Sequence, residues 1–232
     1  YLPGMSVPML PSELSEGLIS LNAHVDRRSL VFKMELDSEG RVESTAIIRG
    51  VIRSRAKLTY EGVQVLFDAP EDSPIVGAAY EGSLRLLARV GELRRELAKE
   101  RDVIQFERAE PRIKLTPDGM EFVVTMRKRN DVERWNEQIS LLCNSEGGRI
   151  LAEVATYSDE LQSIFRVHLP PVKARVRELK RVLKDIASAH ELNGSWLWDG
   201  KQTLASFVEG LPRVDGAERI RKTIERQIQR VN

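Results

Sequence analysis

The chain has 232 residues, 41% of them hydrophobic and 31% charged, which is the balance of a globular protein able to bury a core. With 36 Lys plus Arg against 35 Asp plus Glu, its net charge of +1 excludes a global pull toward nucleic acid or membrane, so any electropositive surface must be local. Cys143 is the only cysteine, which excludes an internal disulfide or a cysteine-based zinc cluster and predicts a reducing, cytoplasmic setting.

Leu30, Phe32, Met34 and Leu36 alternate with Lys33 and Glu35, the two-residue period of a half-buried strand. The turn Asp37 to Gly40 leads to a second strand, Val42 to Ile52, and predicts an antiparallel hairpin. Thr59 is placed to cap a short helix over Tyr60 to Phe67, and Pro70 and Pro74 then break the pattern. Leu86, Val90, Leu93 and Leu97 form the stripe of a long amphipathic helix ending near Arg101. Ile113 and Leu115, the turn Thr116-Pro117-Asp118-Gly119, and Phe122, Val124 and Met126 predict a second hairpin.

Asn130 or Asp131 can cap a helix running to Ala155, which Gly147-Gly148 is expected to interrupt. Ile164 to His168 reads as a short strand ended by Pro170-Pro171. Val172, Val176, Leu179, Leu183 and Ile186 mark another helix, and Ile220, Ile224, Ile228 and Val231 a last one, with a loop carrying Trp196 and Trp198 between them. No composition break marks a domain boundary. The fold class expected is α+β, antiparallel hairpins mixed with long helices.

The residues alone announce little chemistry: no phosphate-binding loop, no nucleophile elbow, no paired carboxylates at a diagnostic spacing. His24, His168 and His190 are far apart and show no metal-ligand spacing. Cys143, in a helical SLLCN setting, reads as a buried small hydrophobe. No run of about 18 apolar residues and no basic-then-apolar leader is present, so neither a membrane span nor a secretory signal is expected. Between Arg166 and Lys184 lie seven basic residues and one acid, Glu178, which is either a phosphate track or a solvated helix face.

Several ordered blocks go further. Tyr1-Leu2-Pro3-Gly4, Val7 to Pro11, Leu14-Ser15 and Leu18 to Leu21 are followed by VIRSRAKLTYEGVQ (Val51 to Gln64), the VIQF stretch ending at Phe106, RNDVERWNEQISLLCN (Arg129 to Asn144) and FRVHLPP (Phe165 to Pro171). Together they resemble the RNB ribonucleases, the family that includes ribonuclease II and ribonuclease R, over about two thirds of the chain.

That resemblance implies a 3′→5′ exoribonuclease that hydrolyses single-stranded RNA processively to nucleoside 5′-monophosphates, acting as a monomer. The alternative is a non-hydrolytic RNA-binding relative that kept the fold. The resemblance also implies Mg2+, held by an aspartate-rich motif that precedes the YLPG stretch in the family, and a later arginine motif. Neither motif is found here, so residues 1–232 are expected to be the central part of an RNB domain, inactive by themselves.

Three site residues carry over. Tyr1 matches an aromatic that stacks near the RNA 3′ end, Phe106 matches the aromatic closing the far end of the base stack, and Glu137 matches an acid that reaches the sugar. Here the acid motif reads Asn136-Glu137-Gln138, with an amide where the family has a second acid. On residue type alone, Tyr1 is a loosely held terminal aromatic, Phe106 a core residue and Glu137 a solvent-facing helix residue. His168 and Trp196 are read as structural.

Overall fold

The computed structural model describes residues 7–101, 103–104, 106, 109–157, 162–165 and 171–231. The chain divides into two compact units, one formed by Tyr1–Arg95 and Glu107–Ile150, the other by Glu96–Phe106 and Leu151–Asn232. Two of the three boundaries, after Arg95 and after Ile150, fall inside long helices, where no shift of composition accompanies them.

The first unit opens with one π-helical turn, Glu13–Leu18, and then the hairpin of β1 (Asp26–Leu36) and β2 (Val42–Arg53). Their antiparallel register runs from Asp26 opposite Arg53 to Glu35 opposite Ser44, with an irregularity between Glu35 and Leu36. The turn is built by the Asp37 carboxylate, which accepts from the backbone amides of Glu39 (2.9 Å) and Arg41 (2.7 Å). Gly40 sits at φ +81°, and a β-carbon there would stand 2.9 Å from Leu93 Cβ, so the position requires glycine twice over.

Three helices supply this unit's apolar centre. α1 (Tyr60–Asp68) begins as expected: Thr59 Oγ1 accepts from the Gly62 amide at 3.0 Å. α2 spans Glu81–Glu100 and α3 Asp131–Ala155. Val63 and Leu66 of α1, Ile75, and Val132 and Trp135 of α3 are buried together, with Phe67, Tyr80, Leu84, Leu87 and Ala88 packed around them. Phe67 meets the Trp135 ring edge-on, centroids 4.8 Å apart. Of the stripe expected on α2, Leu97 is buried and Val90 and Leu93 are half-buried; Leu86 alone is exposed, and Leu84, Leu87 and Ala88 pack around the centre in its place.

The glycine pair does not break α3. Glu146, just ahead of it, is fixed by Thr45 Oγ1 at 2.7 Å, and Gly147 lies over the Phe32 ring. Two interior glycines cost about 1 kcal/mol each, a penalty of the same size as the roughly 1.5–3 kcal/mol contributed by the hydrogen bond to the Glu146 carboxylate. Cys143 is half-buried, not buried as its neighbours suggested, since Leu142 takes the inward position. β3 (Ala109–Leu115) and β4 (Phe122–Lys128) form the second hairpin, with Ile113 opposite Val124 and Leu115 opposite Phe122. These four share one face, and all four are exposed.

The second unit is helical. α4 (Lys173–Ala189), α5 (Leu204–Glu209) and α6 (Glu218–Gln229) bury Leu179, Leu183, Phe207, Val208, Leu211, Ile224 and Ile228 in one cluster. Trp196, in a single 3-10 turn, packs into it, as its structural reading required. Each such side chain contributes about 1.5–3 kcal/mol through burial, so this cluster is what holds the unit together. Ile164 and Phe165 lie in irregular backbone and not in the strand expected there; residues 166–170, including His168, lie outside the described residues.

Candidate functional site

The start of α3 is fixed by a reciprocal cap. Asn130 Oδ1 accepts from the Glu133 amide at 2.9 Å, and Glu133 Oε2 accepts from the Asn130 amide at 3.0 Å. Gln64 Oε1, from α1, accepts from the Val132 amide at 3.2 Å and ties the two helices. With the first turn so held, the sides taken by residues 135–137 follow from 100° per residue.

Trp135 points inward, its Nε1 donating to Glu92 Oε1 at 2.6 Å, while Glu137, two residues on, emerges on the open side. Arg129 Nη1 donates to both Glu137 oxygens, at 3.0 and 3.1 Å. Between them, Asn136 Nδ2 donates to the hydroxyl of Tyr60 at 2.9 Å. Tyr60 is the first residue of α1 and is itself exposed. An acid, a guanidinium and an aromatic ring thus meet on the α1–α3 surface of the first unit.

Next to this group, Arg127 Nη2 lies 2.9 Å from Glu61 and 2.9 Å from Glu133. Glu61 is held below the ordinary glutamate value, first by a backbone amide at the start of α1 and then by the Arg127 guanidinium, and Arg127 is raised in turn by Glu61. Glu61 and Glu133 therefore already share an internal cation, Arg127. Among the described residues no group of three or more His, Cys, Asp or Glu is placed to hold a metal ion. This donor set does not fit magnesium.

Of the residues expected at the site, Glu137 occupies the open position described. Phe106 belongs to the other unit, where it is half-buried against the cluster of Leu179, Phe207 and Ile224. Tyr1 lies outside the described residues. Lys173, Arg175, Arg177, Lys180, Arg181 and Lys184 are exposed along α4. Arg129, the partner of Glu137, and Tyr60, the partner of its neighbour Asn136, went unnoticed in the sequence. Tyr60 reads there only as the start of a helix, and Arg129 stands eight residues before Glu137 in a strand-to-helix connection, where no periodicity relates them. A separate open groove of about 730 Å³ on the β1–β2 hairpin is lined by Arg28, Ser29, Leu30, Arg49, Gly50 and Val51.

Comparison with known proteins gives these features a context. Ribonuclease R of Escherichia coli strain K12 is 27% identical over 186 residues, covering 80% of this chain and 22% of that protein. Exoribonuclease 2 of Shigella dysenteriae is 29% identical over 185 residues, covering 79% of this chain and 28% of that protein. The chain therefore spans about a quarter of the length of these curated relatives. Among solved structures, Mycoplasma genitalium RNase R in complex with ribose methylated single-stranded RNA superposes with a TM-score of 0.81 at 19% identity, covering 100% of this chain and 34% of that one. The same enzyme in complex with double-stranded RNA gives a TM-score of 0.79 at 19% identity, covering 100% and 39%. At that identity these likenesses show the fold, an α+β arrangement of helices and short antiparallel sheets. The sequence itself matches the RNB domain over residues 1–231, and the chain belongs to the RNB domain family.

Proposed function

We propose that this chain is part of a 3′→5′ exoribonuclease that hydrolyses single-stranded RNA to nucleoside 5′-monophosphates, working as a monomer in the cytoplasm. The observation that carries the reading is Glu137, exposed on the open side of α3 and paired with Arg129, in a chain matched by the RNB family along its length. The relatives named ribonuclease R and exoribonuclease 2 support the reaction, and the RNA-bound ribonuclease R structures support the substrate.

Glu137 accepts from a ribose hydroxyl, the group that distinguishes RNA from DNA. Its present partner does not prevent this. The Arg129 and Glu137 side chains are 48% and 45% exposed, and such an ion pair is worth at most about 1 kcal/mol. A hydroxyl donating to a carboxylate contributes about 1.5–3 kcal/mol, enough to redirect it. Tyr1 and Phe106 stack on bases, which grips RNA without regard to sequence. Magnesium, when bound, activates water and neutralises phosphate charge; we assign its carboxylates to residues outside Tyr1–Asn232, because the described donors do not fit it.

The test uses the complete protein with Glu137→Ala, measuring release of mononucleotides and binding of a nuclease-resistant oligomer in parallel. Release should fall roughly ten- to hundredfold with little change in binding, as for a group that positions the reacting end. Equal loss of both, or of neither, removes Glu137 from the site. Tight RNA binding by the unsubstituted protein with no release at all would replace the enzyme by a non-hydrolytic binder.

A further inference from the structure

Several cations of α2 and α6 are paired along the helix. Arg85 meets Glu81 at 2.8 Å, Arg95 meets Glu92 at 2.9 Å, Lys99 meets Glu96 at 3.1 Å, and Arg221 meets Glu225 at 3.6 Å. α4 is different. Lys173, Arg177, Arg181 and Lys184 are all exposed, and none makes an ion pair with another described residue. At 100° per residue they fall within an arc of roughly 80° and extend over about 16 Å of the helix axis. Lys180 lies on the edge of the same stripe, its Nζ donating to the Asp199 carbonyl at 2.6 Å. The acids Glu178 and Asp185 lie off the stripe on its other flank, about 60° and 40° around the helix from Arg181, and neither makes an ion pair with it among the described residues. Spacings of three and four residues bring like charges together at Lys173–Arg177, Arg177–Arg181 and Arg181–Lys184, which is an unfavourable arrangement for an isolated helix.

We propose that this stripe is a binding surface for the phosphodiester backbone of RNA, contacted without regard to base sequence; the proposal rests on the function proposed above. The chemistry selects this occupant. Four cations on successive turns present a line of positive charge with no acid on it, which fits a polymer bearing a charge on every residue. A lipid surface does not fit, although α4 is strongly amphipathic, because its apolar side is already used: Leu179 and Leu183 are buried in the unit's own core, along with Ala187. A helix lying on a membrane needs that side free. What remains outward is charge alone, which binds by releasing counterions and therefore declares itself in the dependence on salt.

The experiment is a salt titration of the affinity of the complete protein for a nuclease-resistant, single-stranded RNA oligomer and for an RNA duplex. Arg177→Gln combined with Lys184→Gln should lower the slope of log affinity against log salt by about 1.4 on the single strand, and the affinity at 0.1 M salt by roughly 25-fold, since each backbone contact contributes about 0.7 to that slope. A fall on the duplex as well assigns both RNA forms to the stripe, and a fall on one assigns that form. Arg177→Lys with Lys184→Arg should keep the unsubstituted slope. So should Arg175→Gln, which lies on the far side of α4 from the stripe. Thermal melting of each variant at the unsubstituted temperature establishes that these exposed changes leave the fold intact. An unchanged slope and affinity in the double variant overturns the proposal while leaving the proposed function standing. Failure of the unsubstituted protein to bind RNA overturns both. Loss of binding to a polyglutamate peptide with RNA binding unchanged would give the stripe to an acidic protein partner and overturn the proposal.

Discussion

The Trp135 side chain of α3 rests directly on the backbone of α2 at Gly91: a β-carbon built on Gly91 would come within 2.6 Å of Trp135 Cγ. The indole cannot move aside, because Phe67 meets it edge-on and Glu92 holds its Nε1. Two effects therefore compete in Gly91→Ala. Helix propensity favours alanine by about 1 kcal/mol, and overpacking a held core costs about 1–3 kcal/mol. With three indole and β-carbon atoms within 2.6 Å, the cost lies toward its upper end, packing wins, and the variant should lose up to about 2 kcal/mol of stability. Urea unfolding with unchanged slope and a lower midpoint is the expected result. A raised midpoint would mean the helices separate more easily than this contact allows.

Gly148 gives the opposite sign from the same substitution. A β-carbon there meets nothing within 4 Å, and the backbone is helical on both sides. Gly148→Ala should raise stability by about 0.5–1 kcal/mol, because alanine loses less backbone freedom on folding. Differential scanning calorimetry on the two alanine variants side by side separates propensity from packing.

Glu146 gives the fold an acid limb. Its carboxyl is held below the ordinary glutamate value by the Thr45 hydroxyl first and by the Arg149 guanidinium after it, while burial works against them. A lowered value in the folded state means that the contribution is complete above the ordinary value, about pH 4.3, and is lost as pH falls through the lowered one. Thr45→Val removes the larger cause with little change of shape. It should cost about 1.5–3 kcal/mol at pH 7, as for a hydrogen bond to a charged group, with the deficit shrinking on acidification. Unfolding curves at pH 7 and pH 3.5 test this; a deficit independent of pH would mean that Thr45 acts by packing alone.

Much of this fold was legible in the sequence, and the exceptions have physical causes. Both hairpins, the Thr59 cap and the start of α3 rest on local chemistry, where a turn aspartate or a capping side chain acts within four residues. The inward turn of Leu84, Leu87 and Ala88 in place of Leu86 could not be read locally. It is set by Trp135, 44 positions beyond Gly91, and no period on α2 marks that partner. The continuity of α3 through Gly147-Gly148 depends in the same way on Thr45 and Phe32, from strands far away in sequence. At the candidate site Glu137 came from motif resemblance, whereas Tyr60 and Arg129 reach it through contacts that only folding creates.

The β1–β2 hairpin has a consequence at the level of individual amides. In an antiparallel pair each strand's N–H groups point alternately toward the partner and away from it. Only two strands form this sheet among the described residues, so over eleven and twelve residues every second amide faces outward. Solvent hydrogen should therefore replace these amides in an alternating rhythm, slow at the inward positions and fast at the outward ones. Any strand that docked along either border would silence the fast positions on that side alone, so the rhythm itself records whether the border is covered.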